Sequence, residues 1–107
     1  MSTIYIAGKV SNLPVDEARA HFDKASEFLR AKGHKVINPM ELIQDPKTEW
    51  SKAMKLCIIE LVQVDAVLLL DNWKDSQGAK LEQQLAQSLS IPTFTSPWCV
   101  DQYLKNR

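Results

Sequence analysis

Residues 66–70 constrain the fold more than any other stretch, because five apolar residues follow one another without a polar interruption. A short run of this kind, with Val67 at its second position, is typical of a strand that is buried on both faces. Strands buried in this way lie at the centre of parallel sheets. The run therefore predicts a central parallel strand with helices packed on both sides.

The first third of the chain predicts a β-α-β unit. Residues 3–7 are rich in β-forming side chains and predict the first strand. Apolar residues at three- and four-residue spacing after Pro14 predict an amphipathic helix, which Gly33 ends. Residues 35–38 predict a short second strand. Two strands joined by a helix in this way are parallel, with a right-handed crossover.

The remaining elements extend this pattern to four strands. Residues 40–48 predict an irregular segment broken by Pro46, with one helical turn as the alternative. Residues 50–62 predict a helix with Met54, Ile58, Leu61 and Val62 facing inward. Ser76 predicts the N-cap of the next helix. Residues 92–95 predict a last strand and residues 97–104 a helical turn or two. The order predicts a three-layer α/β sandwich with four parallel strands ordered 2-1-3-4, a flavodoxin-like fold formed by a single domain, residues 1–107.

Composition excludes several classes of function. The chain has 107 residues with 13 basic and 13 acidic side chains, and the balance argues against a nucleic-acid polymer or an anionic membrane as partner. No apolar run approaches the ~20 residues of a membrane span, and no signal-peptide pattern begins the chain, so we expect a cytoplasmic protein. Cys57 and Cys99 are not spaced as a metal or redox pair. No metal set or cofactor fingerprint is present, so neither is expected.

Glu82 stands out in the helix that follows the central strand. Apolar residues at helical spacing form a stripe, and Glu82 lies in the middle of that stripe; the stripe consists of Ala79, Leu81, Leu85, Ala86 and Leu89. A carboxylate that faces the core is costly unless it is used, so Glu82 is a candidate nucleophile or general acid/base. The alternative is a solvent-facing Glu that is favoured near the start of a helix.

The strand order predicts where a ligand would bind. Strands one and three are neighbours from which the chain leaves in opposite directions, so a crevice forms at their carboxyl ends. The loops 8–13 and 71–78 would line it, and Tyr5 would reach it from strand one. Gly8, Lys9 and Ser11 precede a helix N-terminus and are candidates to bind an anion. Against this role, Asp16 and Glu17 in the first helical turn weaken its attraction for a phosphate.

Further candidates lie on the loops around this crevice. Asp71 and Asp75 are carboxylates that, paired with Glu82, suit glycosyl chemistry without a metal. Trp73 is either a stacking platform or part of the core. Asn38 follows strand two, where it either binds a ligand or caps a chain reversal.

Several of these residues together resemble a known group of proteins. The shared pattern consists of Ile4-Tyr5-Ile6-Ala7-Gly8, Gly33-His34-x-Val36-x-Asn38-Pro39, Trp50, Asp65 and Trp73-x-x-Ser76-x-Gly78-Ala79-x-x-Glu82-x-x-x-Ala86. It resembles a family of short bacterial and phage proteins of unknown function. That family is similar to nucleoside 2-deoxyribosyltransferases and to 2′-deoxynucleoside 5′-monophosphate N-glycosidases. The resemblance implies that Glu82 attacks C1′ of a deoxyribose, with Ser76 and Gly78 beside the substrate. It also implies a homo-oligomer.

The sequence departs from the transferase pattern at two places. Cys57 stands where the transferases carry an Asp near the nucleobase, and Ser76 stands where they carry a loop Asp, with Asp75 one place earlier. It departs from the family of unknown function at the first loop, which reads Gly8-Lys9-Val10-Ser11 where that family usually shows Gly-Pro-Met-Thr. Two functions therefore stay open: an N-glycosidase or deoxyribosyltransferase-like enzyme acting on nucleosides or their 5′-monophosphates, and a nucleotide-binding module without turnover.

Overall fold

The computed structural model describes residues 2–107, which form one four-stranded parallel sheet with helices on both faces. The strand order, numbered along the chain, is 2-1-3-4, as the sequence predicts. The strands are β1 (Thr3–Ala7), β2 (Lys35–Ile37), β3 (Ala66–Leu69) and β4 (Thr93–Phe94). The helices are α1 (Val15–Ala31), α2 (Pro39–Leu42), α3 (Trp50–Leu61), α4 (Gln77–Ser88) and α5 (Pro97–Lys105), with a 3₁₀ turn at Trp73–Asp75. The three-layer flavodoxin-like sandwich is confirmed.

Strand β1 contributes side chains to two hydrophobic cores, one on each face of the sheet. Its side chains alternate between the two faces of the sheet, as in any strand. Ile4 and Ile6 enter the core under α1 and α5. Tyr5 and Ala7 enter the core under α3 and α4. The alternation therefore brings Tyr5 to the face of the sheet that α4 covers.

Several element boundaries differ by one residue from the sequence prediction. Strand β2 ends at Ile37 because the Asn38 side chain accepts a hydrogen bond from the Met40 N–H at 2.9 Å and caps α2. The single turn of α2 agrees with the helical turn predicted as an alternative in the segment 40–48. Strand β3 ends at Leu69, one residue early, and α5 is confirmed as a short helix that extends one residue further, to Lys105. A cap at Ser96, which accepts from the Cys99 N–H, begins α5.

The apolar face of α4 is narrower than the sequence predicts. Ala79, Glu82 and Ala86 are buried, whereas Leu81 and Leu89 are 42% and 49% exposed. Leu81 lies about 100° around the helix from Glu82, and Leu89 is already the C-cap. On α3, Val62 is likewise exposed, because it follows the last helical residue. The two small alanines let α4 approach the sheet closely, so its larger leucines remain at the flank.

A hydrogen bond between His34 and the buried Asp101 joins the residue before β2 to α5. The His34 Nε2 atom lies 2.7 Å from Asp101 Oδ1, and Lys105 Nζ lies 3.3 Å from Asp101 Oδ2. Burial opposes ionisation of Asp101, but hydrogen bonds from His34 and Lys105 prevail, so the pKa of Asp101 lies below its usual value. No helix formed within residues 2–107 has the length and apolarity to cross a bilayer.

Candidate functional site

Glu82 is placed by the start of α4. The Ser76 hydroxyl accepts a hydrogen bond from the Ala79 N–H at 3.1 Å, so the predicted N-cap is confirmed. Glu82 follows in the second turn, on the same face as Gly78 one turn earlier. Its side chain is only 5% exposed. The carboxylate is therefore held at the inner face of the helix, against the sheet.

Tyr5 is the hydrogen-bond partner of that carboxylate. The Tyr5 hydroxyl donates to Glu82 Oε2, although the two residues are 77 positions apart in the chain. Tyr5 is fully buried, and its pKa is raised well above 10.0 by that burial and by the Glu82 carboxylate. The phenol therefore keeps its proton over the physiological range and acts as a fixed donor to Glu82.

Burial also changes the acidity of Glu82. Loss of solvent raises its pKa from the ordinary 4.5 to about 7, although the Tyr5 hydrogen bond acts in the opposite direction. A carboxyl group with such a pKa is present in both protonation states at neutral pH. Groups with matched pKa values of this kind are frequent in active sites, because both forms are then available for catalysis.

Cys57 completes this buried cluster. Its side chain lies in the core with Tyr5 and is 5% exposed. Burial raises the pKa of the thiol, and the nearby Glu82 carboxylate raises it further. The thiol is therefore neutral at physiological pH. The cluster contains one carboxylate, an aromatic hydroxyl and an uncharged thiol.

A cavity of about 340 Å³ opens beside Glu82. It lies at the carboxyl ends of β1 and β2, between the loop after β1, the first turns of α1, and the first turns of α4. The segment 39–57, which contains α2 and the first part of α3, forms its remaining wall. Most of the lining is apolar. The cavity contains two carboxylic acids, Asp45 and Glu82, and one basic side chain, Arg19, besides the Tyr5 hydroxyl and the Cys57 thiol.

Six of the candidate residues meet in this cavity. They are Tyr5, Gly8, Ser11, Ser76, Gly78 and Glu82. Gly8 has an additional packing role, because a Cβ atom there would lie 2.7 Å from Leu70 Cδ1. Contacts closer than 3.0 Å are not tolerated, so a side chain at this position would displace Leu70.

Five candidate residues do not line the cavity, namely Lys9, Asn38, Asp71, Trp73 and Asp75. The Lys9 backbone N–H donates to Asn72 Oδ1 at 3.0 Å, and this bond holds the loops after β1 and β3 together. Asn38 is buried, where it caps α2 and donates to Asp23 Oδ1 at 3.1 Å. Of the two roles predicted for Asn38, ligand binding and capping of a chain reversal, the structure shows capping.

Three side chains on the loop after β3, those of Asp71, Trp73 and Asp75, also lie outside the cavity. Asp71 and Asp75 are exposed, and Asp71 borders a second groove of about 570 Å³ between α1 and α5. Trp73 is half-buried against the core under α3 and α4. The wall that the sequence analysis assigned to loop 71–78 is therefore formed only by Ser76 and Gly78.

Sequence reasoning missed the wall formed by the segment after β2. Trp50, Met54 and the loop around Asp45 line the cavity from this side. The position of this segment could have indicated its role. It follows the carboxyl end of β2, and open α/β sheets bind ligands at the carboxyl ends of their strands. Arg19 on α1 was also missed. Within residues 2–107, no three His, Cys, Asp or Glu side chains are grouped so that they could hold a metal ion.

Comparisons with known proteins agree with this architecture. Residues 2–95 match a family described as "Domain of unknown function (DUF4406)". A solved structure described as a 2-deoxyribosyltransferase from the psychrotolerant bacterium Bacillus psychrosaccharolyticus superposes with a TM-score of 0.67 at 25% sequence identity. The superposition covers 86% of this chain and 69% of that chain. A search of curated proteins found no match.

Proposed function

The chain belongs to the DUF4406 family, and on this premise we propose that it cleaves or exchanges the N-glycosidic bond of deoxynucleosides or their 5′-monophosphates. The observation that carries the proposal is the buried carboxylate of Glu82, which receives a hydrogen bond from Tyr5 and borders a cavity. The deoxyribosyltransferase fold supports a nucleoside-like small molecule as the substrate.

In the proposed reaction, a Glu82 carboxylate oxygen attacks C1′ of the sugar. A C–O bond forms, the C1′–N bond breaks, and the bonding electrons leave with the base, which takes up a proton from solvent. Water then attacks C1′ and gives up a proton to solvent, the C–O bond to Glu82 breaks, and the sugar is released while the carboxylate is restored. A second nucleobase in place of water gives transfer. The ionised form of Glu82 is the nucleophile, so a pKa of about 7 leaves about half of it active at neutral pH.

Tyr5 is the positioning residue in this proposal. Its hydroxyl fixes one carboxylate oxygen, which leaves the other free to face the cavity. Ser11 and Gly8 support the 5′ end of the substrate from the loop after β1. Arg19 adds a positive charge on the same wall, partly offset by Asp16, whose Oδ1 atom lies 3.6 Å from the Arg19 guanidinium. A 5′-phosphate would be attracted by that charge.

The test is release of free base. Purified protein is incubated with a pool of deoxynucleosides and their 5′-monophosphates, and free bases are separated by chromatography. Wild-type protein is expected to release base, and Glu82→Gln is expected to release none, since an amide is not a nucleophile here. Glu27→Gln, an exposed substitution on α1, is the matched control and is expected to keep full activity. Survival of every substrate with folded wild-type protein would contradict the proposal.

A second function is favoured by one observation, the neutral thiol of Cys57. The resemblance to the transferases implies a carboxylate at this position, and the buried cluster here contains only Glu82 as an acid. A nucleotide-binding module without turnover would fit such a site. Its signature is thermal stabilisation by a nucleotide, without product and equally in wild type and Glu82→Gln.

The homo-oligomer implied by the resemblance is part of this proposal. Exposed apolar side chains on and just after α3 and α4 support self-association, namely Leu56, Ile59, Val62, Leu81 and Leu89. Light scattering is expected to give a mass above that of one 12.1 kDa chain. A mass that stays at one chain over the micromolar to millimolar range would contradict it.

A further inference from the structure

Trp50 is an aromatic residue that the proposed reaction has not yet used. Of the three tryptophans in the chain, it is the one that lines the cavity beside Glu82. Trp73 packs against the core, and Trp98 borders the groove between α1 and α5 on the other face of the sheet. Although Trp50 begins an amphipathic helix, its side chain remains 44% exposed.

The Trp50 ring lies beside the first turn of α4, and Met54 packs closely on the same turn at Gly78. A Cβ atom at Gly78 would be 3.7 Å from Trp50 Nε1 and 3.0 Å from Met54 Sδ. The second of these distances is tighter than nearly all real Cβ contacts, so Met54 would have to shift if a side chain were present. The glycine therefore keeps this wall of the cavity close to α4.

Trp50 lies beside Gly78, which precedes Glu82 by one helical turn on α4. Gly78 and Glu82 are four residues apart on one face of α4, which separates them by about 6 Å along the axis. In a nucleoside, the base is bonded directly to the carbon that Glu82 would attack. A base attached to that carbon is therefore within reach of the Trp50 ring.

We propose that Trp50 is the stacking surface for the nucleobase and so determines affinity for the leaving group. The proposal rests on the proposed function for the position of the sugar. An indole ring offers a flat face that any nucleobase can stack on, independent of hydrogen-bonding pattern. Cys57, which replaces a charged residue near the base, adds no polar selectivity of its own. Stacking on Trp50 then supplies most of the interaction with the base, and both purines and pyrimidines are accepted.

The experiment measures binding separately from turnover. In a Glu82→Gln background, the affinities for deoxynucleosides, for their 5′-monophosphates and for base-free 2-deoxyribose 5-phosphate are measured by titration calorimetry and by quenching of tryptophan fluorescence. The variants are Trp50→Leu, Trp50→Phe and Trp98→Leu. Trp98 is 60% exposed and lies outside the cavity, so its substitution is the matched control.

Trp50→Leu is expected to weaken binding of the base-containing ligands by roughly tenfold or more and to leave the base-free sugar phosphate unchanged. Trp50→Phe, which keeps a flat ring, is expected to restore most of the affinity, and Trp98→Leu to change nothing. Fluorescence quenching is expected to disappear only when Trp50 is replaced. Unchanged affinity in folded Trp50→Leu, or equal losses for the base-free ligand, would overturn the stacking role. Absence of base release by wild type, with this binding pattern intact, would overturn the proposed reaction but not the stacking role.

Discussion

Replacing Glu82 by Gln is expected to stabilise the protein above pH 7 while it removes the proposed nucleophile. Gln has nearly the same shape, and its carbonyl oxygen can accept the Tyr5 hydrogen bond that Glu82 accepts. The substitution therefore removes a buried titrating group with little change in packing. Its effect on stability must then depend on pH.

The sign follows from the raised pKa. Below pH 4.5, the carboxyl is protonated in both the folded and the unfolded chain, so it carries no penalty. Between pH 4.5 and about 7, the unfolded chain loses the proton first, and the free energy of unfolding falls as pH rises. Above about 7 both states are ionised and the penalty is constant.

The magnitude follows from the two pKa values. The difference between 4.5 and about 7 corresponds to a penalty of about 3 kcal/mol at about 1.4 kcal/mol for each tenfold change in the ionisation constant. Most of it develops between pH 5 and pH 8. For a domain of this size, a change of 3 kcal/mol corresponds to roughly 10 °C or more in Tm.

The assay is urea unfolding of wild type and Glu82→Gln at pH 5, 6, 7 and 8. The two proteins are expected to be similar at pH 5, and the variant is expected to be more stable by about 2–3 kcal/mol at pH 8. Glu27→Gln, an exposed substitution, is expected to stay within about 0.5 kcal/mol of wild type throughout. A difference between Glu82→Gln and wild type that is the same at pH 5 and pH 8 would refute the buried, raised-pKa description of Glu82.

Three further predictions follow from the same structure. Tyr5→Phe removes the hydrogen bond that lowers the pKa of Glu82, so the acid limb of the base-release profile is expected to move to higher pH; an unmoved limb would contradict the positioning role. Arg19→Gln is expected to raise KM for 5′-monophosphates by roughly tenfold, from the loss of one charge-assisted hydrogen bond, with KM for nucleosides as the internal control. His34→Ala removes the hydrogen-bond partner of Asp101 Oδ1, so the free energy of unfolding is expected to fall by about 1–3 kcal/mol, read from urea unfolding at pH 7; a loss below about 0.5 kcal/mol would show that this hydrogen bond adds little.

The sheet and its order were predictable because each element carries a local signal. The unbroken apolar run of β3 requires burial on both faces, and the spacing in α1 defines one buried stripe. Glu82 was predictable for the same reason, since a charge within an apolar stripe contradicts the local pattern. The end of β2 was predicted one residue too late, at Asn38. The Asn38 side chain caps α2, and a side-chain hydrogen bond of this kind competes with the strand but leaves no periodic pattern in the sequence.

The amino-acid sequence alone determined the fold class and the helix face that carries Glu82, since both depend on residues a few positions apart. Only the tertiary structure decided which side chains surround that carboxylate. Tyr5 reaches Glu82 across 77 positions of the chain, and Trp50 enters the cavity while the aspartates of the loop after β3 turn to solvent. Contacts of that kind depend on how separate elements pack against one another, and packing is a property of the whole assembled core that no local periodicity records.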